Sequence, residues 1–254
     1  MFARSSHFFL SPCLFGGTML KNKKAVLFDM DGTLIDSVGI WNEVDRRLIA
    51  ALGEKDPENV NVQGLRDAAL AKYNTSDNPY RDYCGELARR YSSDLSMDEV
   101  VRMRTEISKG LLKDEVDYKP HVPELLKLLK DRGYILGIVS TTRRANIAVY
   151  LNENRNIIEK APLDKYFSFI YTKEDAAEIK PSPAIYEKVF AEQDLKPDEC
   201  VVFEDSLVGV LAAKAAGIEV AAIYDKYSAA DREEINRLAS YSFADFEAVI
   251  RLLK

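Results

Sequence analysis

Four short stretches of the chain hold most of the side chains that could do chemistry. They are Asp29-Met30-Asp31-Gly32-Thr33, Ser140-Thr141-Thr142, Lys180-Pro181 and Glu204-Asp205-Ser206. Together they offer four carboxylates, several hydroxyls and one lysine. Carboxylates crowded at one place repel each other and are costly to desolvate. A divalent cation removes that conflict. Hard oxygen ligands with no His or Cys nearby favour Mg²⁺ over zinc. Each stretch taken alone also has a bland explanation. Asp31-Gly32 is a common turn dipeptide, and Asp205-Ser206 could cap a helix. Ser140 could simply end a strand, and Lys180 could be a solvated lysine. The bland explanations weaken jointly, because chance would not place all four stretches in this order at these elements.

The elements around these stretches alternate. Ala25–Asp29 is a short apolar run ending in acid and glycine, the pattern of a strand buried on both faces. Tyr134–Val139, Phe167–Tyr171, Cys200–Phe203 and Val220–Tyr224 read as further strands. Between them lie helices over Glu124–Arg132, Arg143–Asn152 and Leu207–Ala216. Another helix is expected with Ser182 as cap and Pro183 at its first position, and one more from Ser228. The alternation predicts an α/β fold, a doubly wound parallel sheet with helices on both faces. In such a sheet ligands bind beyond the carboxyl ends of the strands, where the four stretches fall.

Residues 38–118 break the alternation. Trp41, Val44, Leu48 and Leu52 recur at helical steps, as do Val100, Met103, Ile107 and Leu111. Ser96 and Glu99 form a capping box. The spacing predicts four or five helices inserted after the first strand. The expected organisation is a core of residues 19–37 and 119–254 with a helical domain over 38–118. Residues 1–18 are left outside it. Residues 1–28 hold no acid and four bases, and the apolar run near Phe8 lacks an A-x-A-like cleavage site. A signal peptide and a start read too early, before Met19, are both open. The weak cleavage site favours the early start, with residues 1–18 disordered if translated.

Composition sets outer bounds. The chain has 254 residues, 47% apolar and 30% charged, with 35 Lys+Arg against 41 Asp+Glu and a net charge of −6. That is ordinary for a folded protein and too apolar for a disordered one. The acidic balance argues against nucleic acid as a partner. No long uncharged apolar stretch predicts a membrane span. Three separated cysteines read as reduced thiols, so the expected location is the cytoplasm.

The order Asp-x-Asp-Gly-Thr, Ser, Lys-Pro, Glu-Asp, with the long matches FDMDGTLIDS and VFEDSLVGVLAAKAAGI, resembles the haloacid dehalogenase superfamily. The likeness covers nearly all of residues 24–254 and is strongest to the β-phosphoglucomutase-like branch, whose members carry a helical cap after the first strand. Most members are Mg²⁺-dependent phosphatases and some are mutases. The resemblance implies Asp29 as nucleophile, forming an aspartyl phosphate, and Asp31 as general acid and base. It implies Ser140, with backbone N–H groups around Met30, Gly32 and Thr141, as phosphate holders. Lys180 would balance charge, and Mg²⁺ would be held by Asp29, the Asp31 carbonyl, Asp205 and, directly or through water, Glu204.

Two cap positions bear on the substrate. The family's mutases have a histidine where this chain has Trp41, and an indole cannot move protons. That favours a phosphatase over a sugar phosphomutase. Arg66, in a loop reading Gln63-Gly64-Leu65-Arg66, is expected near the substrate's polar tail. The leading expectation is a monomeric phosphatase for a small-molecule phosphate ester. The alternatives are the mutase and a non-catalytic phosphate-binding module. A module that had lost turnover should have damaged one of Asp29, Asp31, Lys180 and Asp205, and all four are intact.

Overall fold

The computed structural model describes residues 19–73 and 76–254. The expectation for residues 1–18 lies outside the described residues. In chain order the elements begin with β1 (Ala25–Phe28), then α1 (Ile40–Ala51), α2 (Val62–Lys72), α3 (Pro79–Arg90) and α4 (Met97–Asp114). They continue with α5 (Val122–Asp131), β2 (Ile135–Val139), α6 (Arg144–Asn152), α7 (Arg155–Lys160), α8 (Leu163–Tyr166) and β3 (Phe169–Tyr171). The last third holds α9 (Ala184–Gln193), β4 (Cys200–Glu204), α10 (Leu207–Ala215), β5 (Glu219–Ile223), α11 (Arg232–Leu238), β6 (Tyr241–Phe243) and α12 (Phe246–Leu253).

The strands form one parallel sheet in the order β3-β2-β1-β4-β5-β6. It is the doubly wound α/β architecture that the alternation predicts. Successive strand side chains point to opposite faces, and each face has its own core. Val26, Phe28, Ile138, Val201 and Phe203 join α5, α6 and α12 on one side. Ala25, Leu27, Val139, Val202 and Val220 join α9, α10 and α11 on the other. Phe28 stacks on Phe203 at 5.1 Å across the central strand pair. Burial on both faces explains why β1, β2, β4 and β5 read as continuous apolar runs rather than alternating ones.

Helices α1 to α4 stand between β1 and α5 and share a third apolar cluster, with Leu48, Ile49, Tyr83, Leu87 and Val100 at its centre. The Ser96–Glu99 capping box closes the start of α4. Some local expectations shift. Ser182 sits one position further out than a cap: Pro183 is the cap residue of α9, and the Ser182 hydroxyl accepts from the Ala184 amide at 3.4 Å. Ser228 begins no regular helix; it lies in a 3-10 turn over Lys226–Asp231 that precedes α11. The strand expected from Phe167 starts at Phe169. Among the described residues no helix is long and apolar enough to cross a membrane.

Candidate active site

β1, the central strand, delivers Asp29 to the carboxyl edge of the sheet, with β2 and β4 as its neighbours. The next residues form a tight loop. Leu34 and Ile35 amides donate to the Met30 carbonyl, and the Gly32 amide donates to Ile35 O at 3.0 Å. Gly32 has φ +84°, and a Cβ there would come within 2.5 Å of an Asp205 oxygen. Glycine is required twice over, by the backbone angle and by this approach. The loop thereby brings β1 and β4 residues into contact.

Lys180 ties the edge together. Its ammonium donates to Asp29 Oδ1 at 2.7 Å, Glu204 Oε1 at 2.5 Å and the Val139 carbonyl at 2.8 Å. Burial alone would lower the lysine pKa, but Asp29 and Glu204 outweigh it and hold it well above the ordinary value. Burial pushes the Glu204 carboxyl up to about 7. It also pushes Asp205 well above its usual range, with the Asp29 charge adding to the effect. Asp29, Glu204 and Asp205 each offer an oxygen, all within 4.8 Å of one another. Thr33 donates to Asp205 Oδ1 at 2.8 Å.

Asp31 sits apart from this trio. Ser37 donates to its Oδ1 and Thr142 to its Oδ2. Its pKa is raised, chiefly by burial and further by the Asp29 charge, while the two hydroxyls pull the other way. So the two aspartates of one loop have different partners: Asp29 a cation, Asp31 two neutral hydroxyls.

The structure brings Asp29, Asp31, Ser140, Lys180, Glu204 and Asp205 to one edge. Ser140 is buried, and its hydroxyl accepts from the Thr142 amide at 3.1 Å, shaping the turn after β2. Thr141 is exposed beside it, while the Met30 side chain belongs to the core. The stretch expected as a loop, Gln63 to Arg66, is the start of helix α2, and Arg66 has its donors engaged within the insertion: Nη1 to Asp45 at 2.6 Å and the Trp41 carbonyl at 3.1 Å, Nη2 to Asn42 at 2.8 Å. Trp41 is half-buried and packs against the main core.

Sequence reasoning gave no role to Ser37, Thr142 or Tyr186. The Tyr186 hydroxyl, fully buried on α9, donates to Glu204 Oε1 at 3.1 Å. Its only signal was a tyrosine six residues past Lys180 on an otherwise apolar helix face. Ser37 and Thr142 carried a hint, since each lies within or beside a stretch already singled out.

A family model described as haloacid dehalogenase-like hydrolase matches residues 26–223. The chain is 28% identical over 198 residues to the phosphorylated carbohydrates phosphatase of Thermotoga maritima, covering 77% of this chain and 82% of that one. It is 28% identical over 196 residues to hexitol phosphatase B of Escherichia coli K12, covering 76% and 79%. Among solved structures it is similar to CbbY from Rhodobacter sphaeroides in complex with phosphate, at 25% identity and TM-score 0.62, over 88% of this chain and 95% of that one. The family match runs from β1 to β5 and takes in the inserted helices and every stretch at the carboxyl edge, leaving β6 beyond it, and the chain belongs to the haloacid dehalogenase-like hydrolase family.

Proposed function

We propose that the protein is a Mg²⁺-dependent phosphatase that hydrolyses a small phosphate monoester, a sugar phosphate or related metabolite, through an aspartyl phosphate on Asp29. The observation that carries this is the unequal setting of Asp29 and Asp31. A nucleophile must be a bare carboxylate, and Asp29 has the Lys180 ammonium beside it. A general acid must hold a proton near working pH, and burial raises the Asp31 pKa. The relatives named for phosphorylated carbohydrates and hexitols support the substrate class.

The donor set fits a hard dication. Three buried carboxylates face one ammonium, and Glu204 Oε2 is buried without a hydrogen-bond partner. Asp29, Asp205 and the Asp31 carbonyl would hold Mg²⁺, with Glu204 next to them. When bound, the ion neutralises charge on the phosphoryl oxygens and positions them.

The chain's own groups then account for the proton and bond changes. An Asp29 oxygen attacks phosphorus, and the bond from phosphorus to the ester oxygen breaks. The Asp31 carboxyl gives its proton to the departing alkoxide. A water next attacks the aspartyl phosphate and passes a proton to Asp31. Phosphate leaves, and Asp29 is again a carboxylate. Ser140 and the backbone N–H groups at Met30 and Thr141 serve as donors to phosphoryl oxygens; the Gly32 amide, expected among them, is instead spent on Ile35 O and shapes the loop. In this reading residues 38–118 act as a cap that closes over the substrate and excludes water. The enzyme works as a cytoplasmic monomer; the buried free thiols of Cys84 and Cys200 support the reducing location.

The test is phosphate release from a panel of phosphate monoesters, with and without Mg²⁺, and with Asp29→Asn as control. Mg²⁺-dependent release lost in Asp29→Asn is expected. Full release by Asp29→Asn would overturn the nucleophile, and isomerised sugar phosphates without free phosphate would indicate a mutase.

A further inference from the structure

The helical insertion holds a buried carboxylate of its own. Asp45 on α1 is fully buried, and two arginines from other helices converge on it. Arg66 Nη1 donates to Oδ2 at 2.6 Å, and Arg104 Nε donates to Oδ1 at 2.9 Å. One carboxylate thus faces two guanidinium groups, and the trio keeps a net positive charge.

The two arginines differ in what they have left to give. Arg66 also serves the Trp41 carbonyl and Asn42, so both its terminal nitrogens are engaged. Arg104 has a buried Nη2 with no partner. Its guanidinium lies 5.5 Å from the ring centres of both Trp41 and Tyr80. Trp41 packs against the main core, near the seam between the insertion and the sheet. The Ile40 amide bonds back to the Ser37 carbonyl at 3.0 Å, so the chain turns there. The Cα of Trp41 is therefore no more than about 11 Å from that of Ser37, whose hydroxyl rests on Asp31. Trp41, with the Arg104 guanidinium against its ring, is thus one short turn along the chain from the Ser37 that holds Asp31.

We infer that Arg104 is a specificity-determining residue that receives a second anionic group, a carboxylate or a phosphate, on the phosphoester being hydrolysed. The inference rests on the phosphatase reading above. A buried donor without an acceptor is costly, and an anion supplies both the acceptor and the missing charge. Such bonds to a guanidinium are strong and directional, because its planar fork suits carboxylate and phosphate oxygens. Tyr80, at the start of α3, lies against the Arg104 guanidinium and is 43% exposed, and an exposed ring changes rotamer readily enough to admit a ligand. Arg66 in this account holds α1 to α2 and steadies Asp45.

The experiment measures kcat/KM on fructose 1,6-bisphosphate, 6-phosphogluconate and sorbitol 6-phosphate, in the wild type and Arg104→Lys. Lysine keeps a cation on Asp45 but loses the second donor of the fork. The wild type is expected to favour at least one doubly anionic probe over sorbitol 6-phosphate. That ratio should fall about 10- to 100-fold in Arg104→Lys, through KM rather than kcat. The bisphosphate and phosphogluconate arms show whether phosphate or carboxylate is received. A wild-type ratio at or below one, or an unchanged ratio in the variant, overturns the inference. If Arg104→Lys melts early, Arg104→Gln gives the same ratio with an amide toward Asp45. If the wild type releases phosphate neither from these probes nor from the wider panel of phosphate monoesters, the phosphatase reading fails by itself. Titration calorimetry with the same compounds then decides the subsite. Tighter binding of a doubly anionic probe, lost in Arg104→Lys, supports it; equal binding, or none, overturns it.

Discussion

Two buried charge clusters depart from neutrality in opposite directions. At the sheet edge Asp29, Glu204 and Asp205 share the one ammonium of Lys180. In the helical insertion Asp45 alone faces Arg66 and Arg104. A third buried pair, Lys119 with Asp225 at 2.6 Å, is balanced one to one. Buried charge is expensive unless paired, so an imbalance persists most readily where a ligand can correct it. The sheet edge lacks positive charge, which a dication supplies. The insertion lacks negative charge, which an anion supplies. The Lys119 pair lacks neither, and reads as a structural tie between the segment joining α4 to α5 and the loop after β5.

The comparison breaks first at Lys180. Removing the ammonium that bonds to Asp29 and Glu204 leaves three carboxylates in contact range and takes away the cation that steadies Asp29. Lys180→Met is expected to lower turnover about 10²- to 10³-fold, the scale of losing one group that stabilises the transition state. Initial-rate assays with saturating Mg²⁺ check it. A variant that keeps near-normal rates would mean that the dication alone balances the edge.

The converse test is Asp45→Asn. It leaves two buried guanidinium groups without their shared counter-ion. The expected cost is about 3–5 kcal/mol of stability, read from urea unfolding. A loss below about 1 kcal/mol would mean that water reaches both arginines, and the contrast with the sheet edge would dissolve.

The two clusters were not equally legible in the sequence. The sheet-edge residues follow strands in short runs, such as Asp29 to Thr33 and Glu204 to Ser206. A parallel sheet must bring such runs together, so residue order and strand pattern were enough. The helical cluster draws Asp45, Arg66 and Arg104 from three helices. Their meeting depends on how those helices pack, which periodicity does not encode. Arg66 was visible as a cation beside Gly64, in a stretch that reads as a loop and is in fact part of α2, and its capture by Asp45 was not visible. Ser37 and Thr142 fall between these cases: they were near the motifs in sequence, yet their contact with Asp31 needed the loop's shape. The offset of Ser182 from the cap of α9 is a smaller miss of the same kind, since cap position depends on local backbone angles.

The charge deficit at the sheet edge also has a pH signature. Burial raises Glu204 from 4.5 to about 7 and raises Asp205 as well. A carboxyl with a raised folded pKa makes the folded state bind more protons than the unfolded chain. Its contribution to stability is complete below the unfolded value and is lost as pH rises through the folded one. For Glu204 that loss runs from about pH 4.5 to about 7. Mg²⁺ binds the ionised carboxylates and should offset the loss where they are ionised. Metal-stripped protein is expected to gain several degrees of Tm on adding Mg²⁺ at pH 8, and less at pH 5.5. An equal gain at both values would place the ion away from these carboxylates.

The smallest expected effect isolates one hydroxyl. In Tyr186→Phe the ring stays, with the Lys180 ammonium 5.4 Å from its centre, and only the bond to Glu204 is lost. A single neutral donor contributes about 1 kcal/mol, so stability should fall by about that much. Lys180 still reaches both Asp29 and Glu204, so turnover should change far less than in Lys180→Met. The direction of the pH effect is also fixed. The Tyr186 hydroxyl stabilises ionised Glu204 and lowers its pKa, so losing it raises that pKa further. The metal-free loss of stability should then extend to higher pH in Tyr186→Phe than in the wild type. Thermal melts across pH 5 to 9 measure this. A shift to lower pH, or a rate loss matching Lys180→Met, would show that the hydroxyl rather than the ammonium fixes Glu204. The sheet edge would then depend on a neutral donor, and its contrast with the arginine-rich insertion would no longer be one of charge.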